Sequence, residues 1–123
     1  MEKVIYEAQG NVDSIKPTEV RGISVIEVST EHGDTITIEL PSDLLKFKEK
    51  ERVRIIFSKS EDVEDVDELF NCVVYKVERH RKGKEERAVI YGSIGGLQVR
   101  VHTKSLHRKV KVNDLVLIGV KMY

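Results

Sequence analysis

Tyr91-Gly92-Ser93-Ile94-Gly95-Gly96-Leu97-Gln98-Val99-Arg100-Val101 is the stretch whose reading decides the fold. Adjacent glycines supply the positive-φ positions that a tight or bulged hairpin turn needs. After them Leu97, Val99 and Val101 alternate with Gln98 and Arg100, the period of a strand with one buried face. Before them Ala88-Val89-Ile90-Tyr91 is apolar and β-prone. The stretch holds no nucleophile–base pair and no ligand cluster. A packed strand pair with a backbone loop suits binding or assembly better than catalysis.

The chain has 123 residues, a length that predicts one domain able to bury a core without covalent staples. Charged residues make up 34%, above the usual quarter, a composition shared with heat-adapted proteins. The single cysteine, Cys72, excludes an internal disulfide and a cysteine-based zinc site, and fits a reducing cytoplasm. Met1-Glu2-Lys3-Val4 carries no basic stretch followed by an apolar core, so no secretory signal is expected. The apolar runs are too short to span a bilayer, so no membrane role is expected. The neutral total hides two opposed halves. Residues 1–70 hold 9 Lys and Arg against 17 Asp and Glu, and residues 71–123 hold 12 against 4. A basic patch would come from the second half.

Outward from the hairpin, the pattern predicts β-strands throughout. The first covers residues 3–9, with Gly10 as a bend and Val12 as a continuation; Ile15 to Thr18 reads as a loop because Pro17 lacks a donor. Residues 20–30 and 35–40 form a hairpin around His32-Gly33-Asp34. Pro41-Ser42-Asp43 resembles a helix start, with Ser42 capping a single turn. A fourth strand runs from Arg52 to Phe57, with Val53, Ile55 and Phe57 inward. Residues 58–68 are an acidic connector, read as a solvated, mobile loop. A fifth strand covers Phe70 to Arg79 with Val73, Tyr75 and Val77 on one face, followed by a charged loop over residues 80–86. Residues 87–91, 97–101 and 115–120 complete the set.

Sliding the chain by 63 positions pairs its halves without a gap: Gly33 meets Gly96, Ile36 and Ile38 meet Val99 and Val101, and Val53 and Ile55 meet Val116 and Ile118. The expected fold is therefore all-β: a closed antiparallel eight-stranded OB-like barrel of two pseudo-repeated four-strand halves.

The chemistry-bearing residues are few. His32, His80, His102 and His107 fall in or beside turns, and no metal-ligand spacing joins them. Cys72 lies among valines, as a buried small hydrophobe does. The Gly92–Gly96 loop precedes a strand, so it lacks the helix N-terminus that cradles phosphate. No cofactor, metal or small-molecule substrate is expected. A stand-alone module for single-stranded nucleic acid is the alternative, resting on Arg79, Arg81, Lys82, Lys84, Arg100, Lys104, Arg108, Lys109 and Lys111. Against it stand zero net charge and only four Tyr and three Phe for base stacking.

Tyr75-Lys76-Val77-Glu78, the Ala88–Val101 hairpin, Leu106 and the closing Leu115-Val116-Leu117-Ile118 strand resemble the eighth small subunit of nuclear RNA polymerases, and its archaeal counterpart, the G subunit of DNA-directed RNA polymerase. The likeness covers about the last fifty residues, with weaker agreement before them. Val77 and Ile94 depart from it, standing where the eukaryotic pattern has aromatics. So does the connector, which is long in that family and reduced here to residues 58–68. The resemblance implies an OB-like barrel on the outside of the polymerase, touching chiefly the largest subunit and taking no part in phosphoryl transfer. It makes Tyr91, Ser93, Gly95, Gly96, Leu97 and Arg100 the expected partner contacts.

Overall fold

A computed structural model describes residues 3–123. Eight strands close into one antiparallel barrel: β1 (Val4–Pro17), β2 (Ile23–Thr30), β3 (Thr35–Pro41), β4 (Arg52–Ser58), β5 (Glu68–Lys82), β6 (Glu85–Ile94), β7 (Leu97–Thr103) and β8 (Leu115–Met122). Their order around the barrel is β1-β2-β3-β7-β6-β5-β8-β4. Inward rows from all eight strands fill it, among them Ala8, Val12, Ile36, Ile38, Val53, Ile55, Val99, Val101 and Ile118. At about 25 cal/mol per Å² of apolar surface, this burial is the main favourable term.

Closure depends on the two longest strands. β1 pairs with β4 through its first half and with β2 through its second. β5 divides itself in the same way between β8 and β6. Each is bulged just past the point where it changes partner, between Val12 and Ser14 in β1 and between Val74 and Lys76 in β5. A bulge bends and twists a strand, which lets one strand serve two neighbours in a small barrel.

The 63-residue offset is present in the ladders. In β1 and β5 the match is one residue shorter, set by the bulges: Val12 faces Val28 just before the first, and Val74 faces Gly92 just before the second. The halves meet at two seams. At one, Thr37 faces Arg100; at the other, Ile56 faces Gly119. In both cases a residue faces its own counterpart in the other half, which is the register of a pseudo-two-fold axis. Even the irregular backbone repeats. Lys50 (φ 69°) and Asn113 (φ 78°) both take the left-handed conformation, and their N–H groups donate to Val12 O and Val74 O, each at 2.7 Å.

Several local expectations are corrected. Pro17 ends β1 and is not part of a loop. The hairpin after β5 turns at Gly83-Lys84 alone, so residues 80–82 and 85–86 are strand. Gly92 and Ser93 also belong to β6, leaving Gly95-Gly96 as the turn. Ser42 starts a single 3-10 turn (Ser42–Leu44) and does not cap it; its hydroxyl pairs with the Ser24 hydroxyl at 2.6 Å. Val73 and Tyr75 point outward, 45% and 46% exposed, while Cys72, Val74 and Val77 point in. The bulge shifts the alternation by one residue, a slip invisible to a period of two.

The acidic connector is shorter than predicted, because Ser58 and Glu68 are strand residues. It is fastened along its length. Val63 and Val66 lie over Gly119, where any side chain would collide with them. Asp62 pairs with Lys3 at 2.9 Å, Asp65 with Lys121 at 3.1 Å, and the Asp67 carboxylate accepts the Met122 N–H at 2.7 Å.

Candidate functional site

The glycine-tipped hairpin is β6–turn–β7, and its outer face is assembled by cross-strand pairing. Tyr91 faces Arg100, and Ser93 faces Gln98. Residues two apart on a strand share a face, so Tyr91 and Ser93 stand in one row beside Gln98 and Arg100 in the next. β5 extends the face. The Tyr75 ring lies 6.2 Å from that of Tyr91, and Lys76 Nζ sits 5.4 Å over the Tyr91 ring. The Gln98 amide donates to the Tyr75 hydroxyl at 2.8 Å. Lys76 also binds Glu78 at 2.9 Å; that contact raises the lysine pKa and lowers the glutamate pKa.

The turn itself is open. Gly95 (φ 56°) and Gly96 (φ 92°) both lie in the left-handed region, and nothing stands within 4 Å of a Cβ placed on either. The Gly96 N–H donates to Ser93 Oγ at 3.1 Å, which closes the turn from inside. Leu97 continues the inward row of Val99 and Val101. Of the six expected contacts, Tyr91, Ser93 and Arg100 therefore share the outer face, Gly95 and Gly96 form its tip, and Leu97 faces the other way. Tyr75, Lys76 and Gln98 complete the face; alternation puts Lys76 and Gln98 outward, but it hides Tyr75. The bulge that turns Tyr75 outward leaves no mark in that alternation.

Beyond Arg100 the face broadens into a shallow basin of about 540 Å³, whose lining includes His80, Arg87, Arg100, His102 and Lys104. Lys104 and Arg87 both reach Glu85, at 3.7 and 3.0 Å. No Phe or Tyr lines this basin. Cys72 is buried, and loss of solvent pushes its thiol up to about 11, so it stays protonated at neutral pH. Among the described residues no group of three or more His, Cys, Asp or Glu could hold a metal ion. No helix among them is long and apolar enough to cross a membrane.

The model of the family described as the G subunit of DNA-directed RNA polymerase matches residues 5–122. The chain belongs to that family. The match spans both halves of the barrel, including the β1–β4 half in which the sequence likeness was weaker. No curated protein sequence matches the chain. Among solved structures it is similar to a cytoplasmic molybdate-binding protein, ModG, at 12% identity, with a TM-score of 0.37 over 94% of this chain and 89% of that one. As a polymerase subunit, its partners are other polymerase subunits.

Proposed function

We propose that the chain is a non-catalytic accessory subunit of DNA-directed RNA polymerase, the archaeal form working in the cytoplasm, which assembles on the outside of the core enzyme chiefly against its largest subunit. The observation that carries this reading is family membership over nearly the whole chain. The closed barrel supports it: the interior is filled by side chains, and the chemistry left to the molecule is on its wall. The proposed docking face is the outer side of β5, β6 and β7. It holds Tyr91, Ser93 and Arg100, with Gly95 and Gly96 at its tip and Leu97 behind. Arg100 is exposed, central to that face, and available for a carboxylate of the partner. Polymerase reassembled with and without the chain tests the reading. Nucleotide addition on a primed template should survive omission, while assembly yield or stability falls. Loss of the chemical step on omission, with the remaining subunits still assembled, would refute a non-catalytic role.

The basic basin favours one second reading, a stand-alone module for single-stranded nucleic acid. Without Phe or Tyr in its lining, the basin offers phosphate contacts but no base stacking on such rings. Titration of the isolated chain with single-stranded DNA and RNA at two salt concentrations separates the two readings. Tight, salt-sensitive binding would favour the module.

A further inference from the structure

A closed barrel should have no free strand edge, but β5 outruns its neighbour. β8 accompanies β5 only from Glu68 to Val73, while β6 follows it to Lys82. The two-residue turn at Gly83-Lys84 makes Lys82 and Glu85 a hydrogen-bonded pair. Counting back in steps of two, His80, Glu78 and Lys76 also bond to β6. Val77, Arg79 and Arg81 therefore aim their N–H and C=O groups away from β6, past the end of β8. None of the three takes part in the loop hydrogen bonds among the described residues.

The other half of the molecule shows what closing this edge takes. Beyond the two bulges Ile15 corresponds to Val77, both packed against the core, and Pro17 corresponds to Arg79. In β1 the Ile15 N–H is capped by the Glu49 carboxylate at 3.4 Å, and Pro17 has no N–H to offer. At the position 63 residues beyond Glu49 stands Val112, exposed and without an acceptor. One half closes its edge twice over; the other leaves it open.

Charge selects what can pair there. Arg79, Arg81 and Lys82 are exposed, and none comes within ion-pair distance of a carboxylate among the described residues, although Arg81 and Lys82 stand opposite Glu86 and Glu85 in the ladder and the Arg79 charge acts on Glu86. The acids of the same hairpin are engaged: Glu78 with Lys76, Glu85 with Arg87, and Glu86 with His107. Edge cations repel a second copy of the same edge and admit a strand of opposite sign. The chain's own acidic connector is fastened to β8 and to Lys3, so it is not free to serve. Exposed Val73 and Leu115, directly paired, adjoin the near end of the edge and offer apolar contact.

We propose that the open edge of β5, at Val77, Arg79 and Arg81, takes up an extended acidic segment of a partner polymerase subunit as an added strand. This rests on the reading of the chain as an assembled subunit. The test uses the full chain, free and in polymerase purified with it. Hydrogen exchange of residues 75–82 is measured in both states, and Arg79→Pro is assayed for incorporation. That substitution copies Pro17 at the corresponding place, and its lost N–H points away from β6. The expected result is fast exchange at Val77, Arg79 and Arg81 in the free chain, slowing at least about ten-fold in the complex. Arg79→Pro should lower incorporation by about ten-fold or more with the barrel folded. Paired Arg79→Glu and Arg81→Glu changes should do the same without touching the backbone, and they decide the matter if the proline variant misfolds.

Folded variants entering polymerase as well as the unaltered chain, with the three amides still unprotected, would overturn the edge proposal and spare the subunit reading. Failure of the unaltered chain to enter polymerase would overturn both. Protection in the isolated chain at the mass of a dimer would make a second copy the occupant and overturn the proposal.

Discussion

The Tyr6 hydroxyl on β1 donates to the buried carboxylate of Asp34, in the turn between β2 and β3, at 2.8 Å. The same Asp34 oxygen accepts from Thr103 Oγ1 at 3.2 Å, and its other oxygen accepts the Lys104 N–H at 3.2 Å. One carboxylate, 2% exposed, thus ties the first strand, a hairpin turn and the end of β7 at one mouth of the barrel. A buried charge is tolerable when several donors meet it.

Removing that carboxylate takes the acceptor from three donors, of which the Tyr6 hydroxyl keeps Thr30 Oγ1 as a partner at 3.0 Å. Asp34→Ala should cost about 2–4 kcal/mol, and Tyr6→Phe about 1 kcal/mol, read from urea unfolding. Both changes together should cost less than the sum, because they share one hydrogen bond.

Burial holds the Tyr6 phenol well above its ordinary pKa, with the Asp34 charge adding to the effect. The folded state therefore keeps a proton that the unfolded state gives up near pH 10. This contribution is fully present below about pH 10 and declines as pH rises beyond it. Alkaline unfolding of the unaltered chain should be steeper than that of Tyr6→Phe above that pH. Parallel curves would exclude Tyr6 as the responsible group.

Glu86 sits at the opposite sign. Its contact with the fully buried His107, 2.5 Å between Oε1 and Nε2, holds the carboxyl below the ordinary range. A lowered folded pKa contributes stability above about pH 4.3 that disappears as pH falls through the folded value. Glu86→Gln should therefore lose less stability than the unaltered chain on acidification, as read by thermal melts between neutral pH and about pH 3.

Gly92 and Cys72 are matched in shape across the β5–β6 ladder. A methyl group on Gly92 would run into the Cys72 sulfur. Gly92→Ala should destabilise by about 1–3 kcal/mol, and Cys72→Ala should recover part of that loss in the double variant. Additive losses in the cycle would show that the two positions do not meet.

Lys50 and Asn113 hold the same left-handed backbone in the two halves, and they differ in how well they suit it. Asn adopts that conformation readily, whereas Lys does so at a cost. Lys50→Gly should stabilise by up to about 1 kcal/mol, with Asn113→Gly close to neutral, both by urea unfolding.

What is legible in the sequence follows from periodicity. Ile36 and Ile38 in β3, Val99 and Val101 in β7, and Val53 and Ile55 in β4 alternate cleanly because one face meets the core and the other meets water. The 63-residue offset is legible for the same reason, since both halves repeat that alternation. The bulges are not, because an extra residue such as Tyr75 has no compositional sign of its own. Alternation alone therefore puts Val73 and Tyr75 on the wrong face and leaves Tyr75 out of the candidate site. The latch at Asp34 is hidden as well: Tyr6, Asp34 and Thr103 are far apart in the chain, and only closure brings them together. Val63 and Val66 are masked by the acids around them.

The central claim is that this barrel works as an assembled part of an RNA polymerase. Affinity capture of the tagged chain from its host, with mass spectrometry of what stays bound at high salt, tests it most directly. The large polymerase subunits should come down with the chain in stoichiometric amounts, and fewer of them with Arg100→Glu. Recovery of the chain alone, or with nucleic acid and no polymerase subunit, would contradict it.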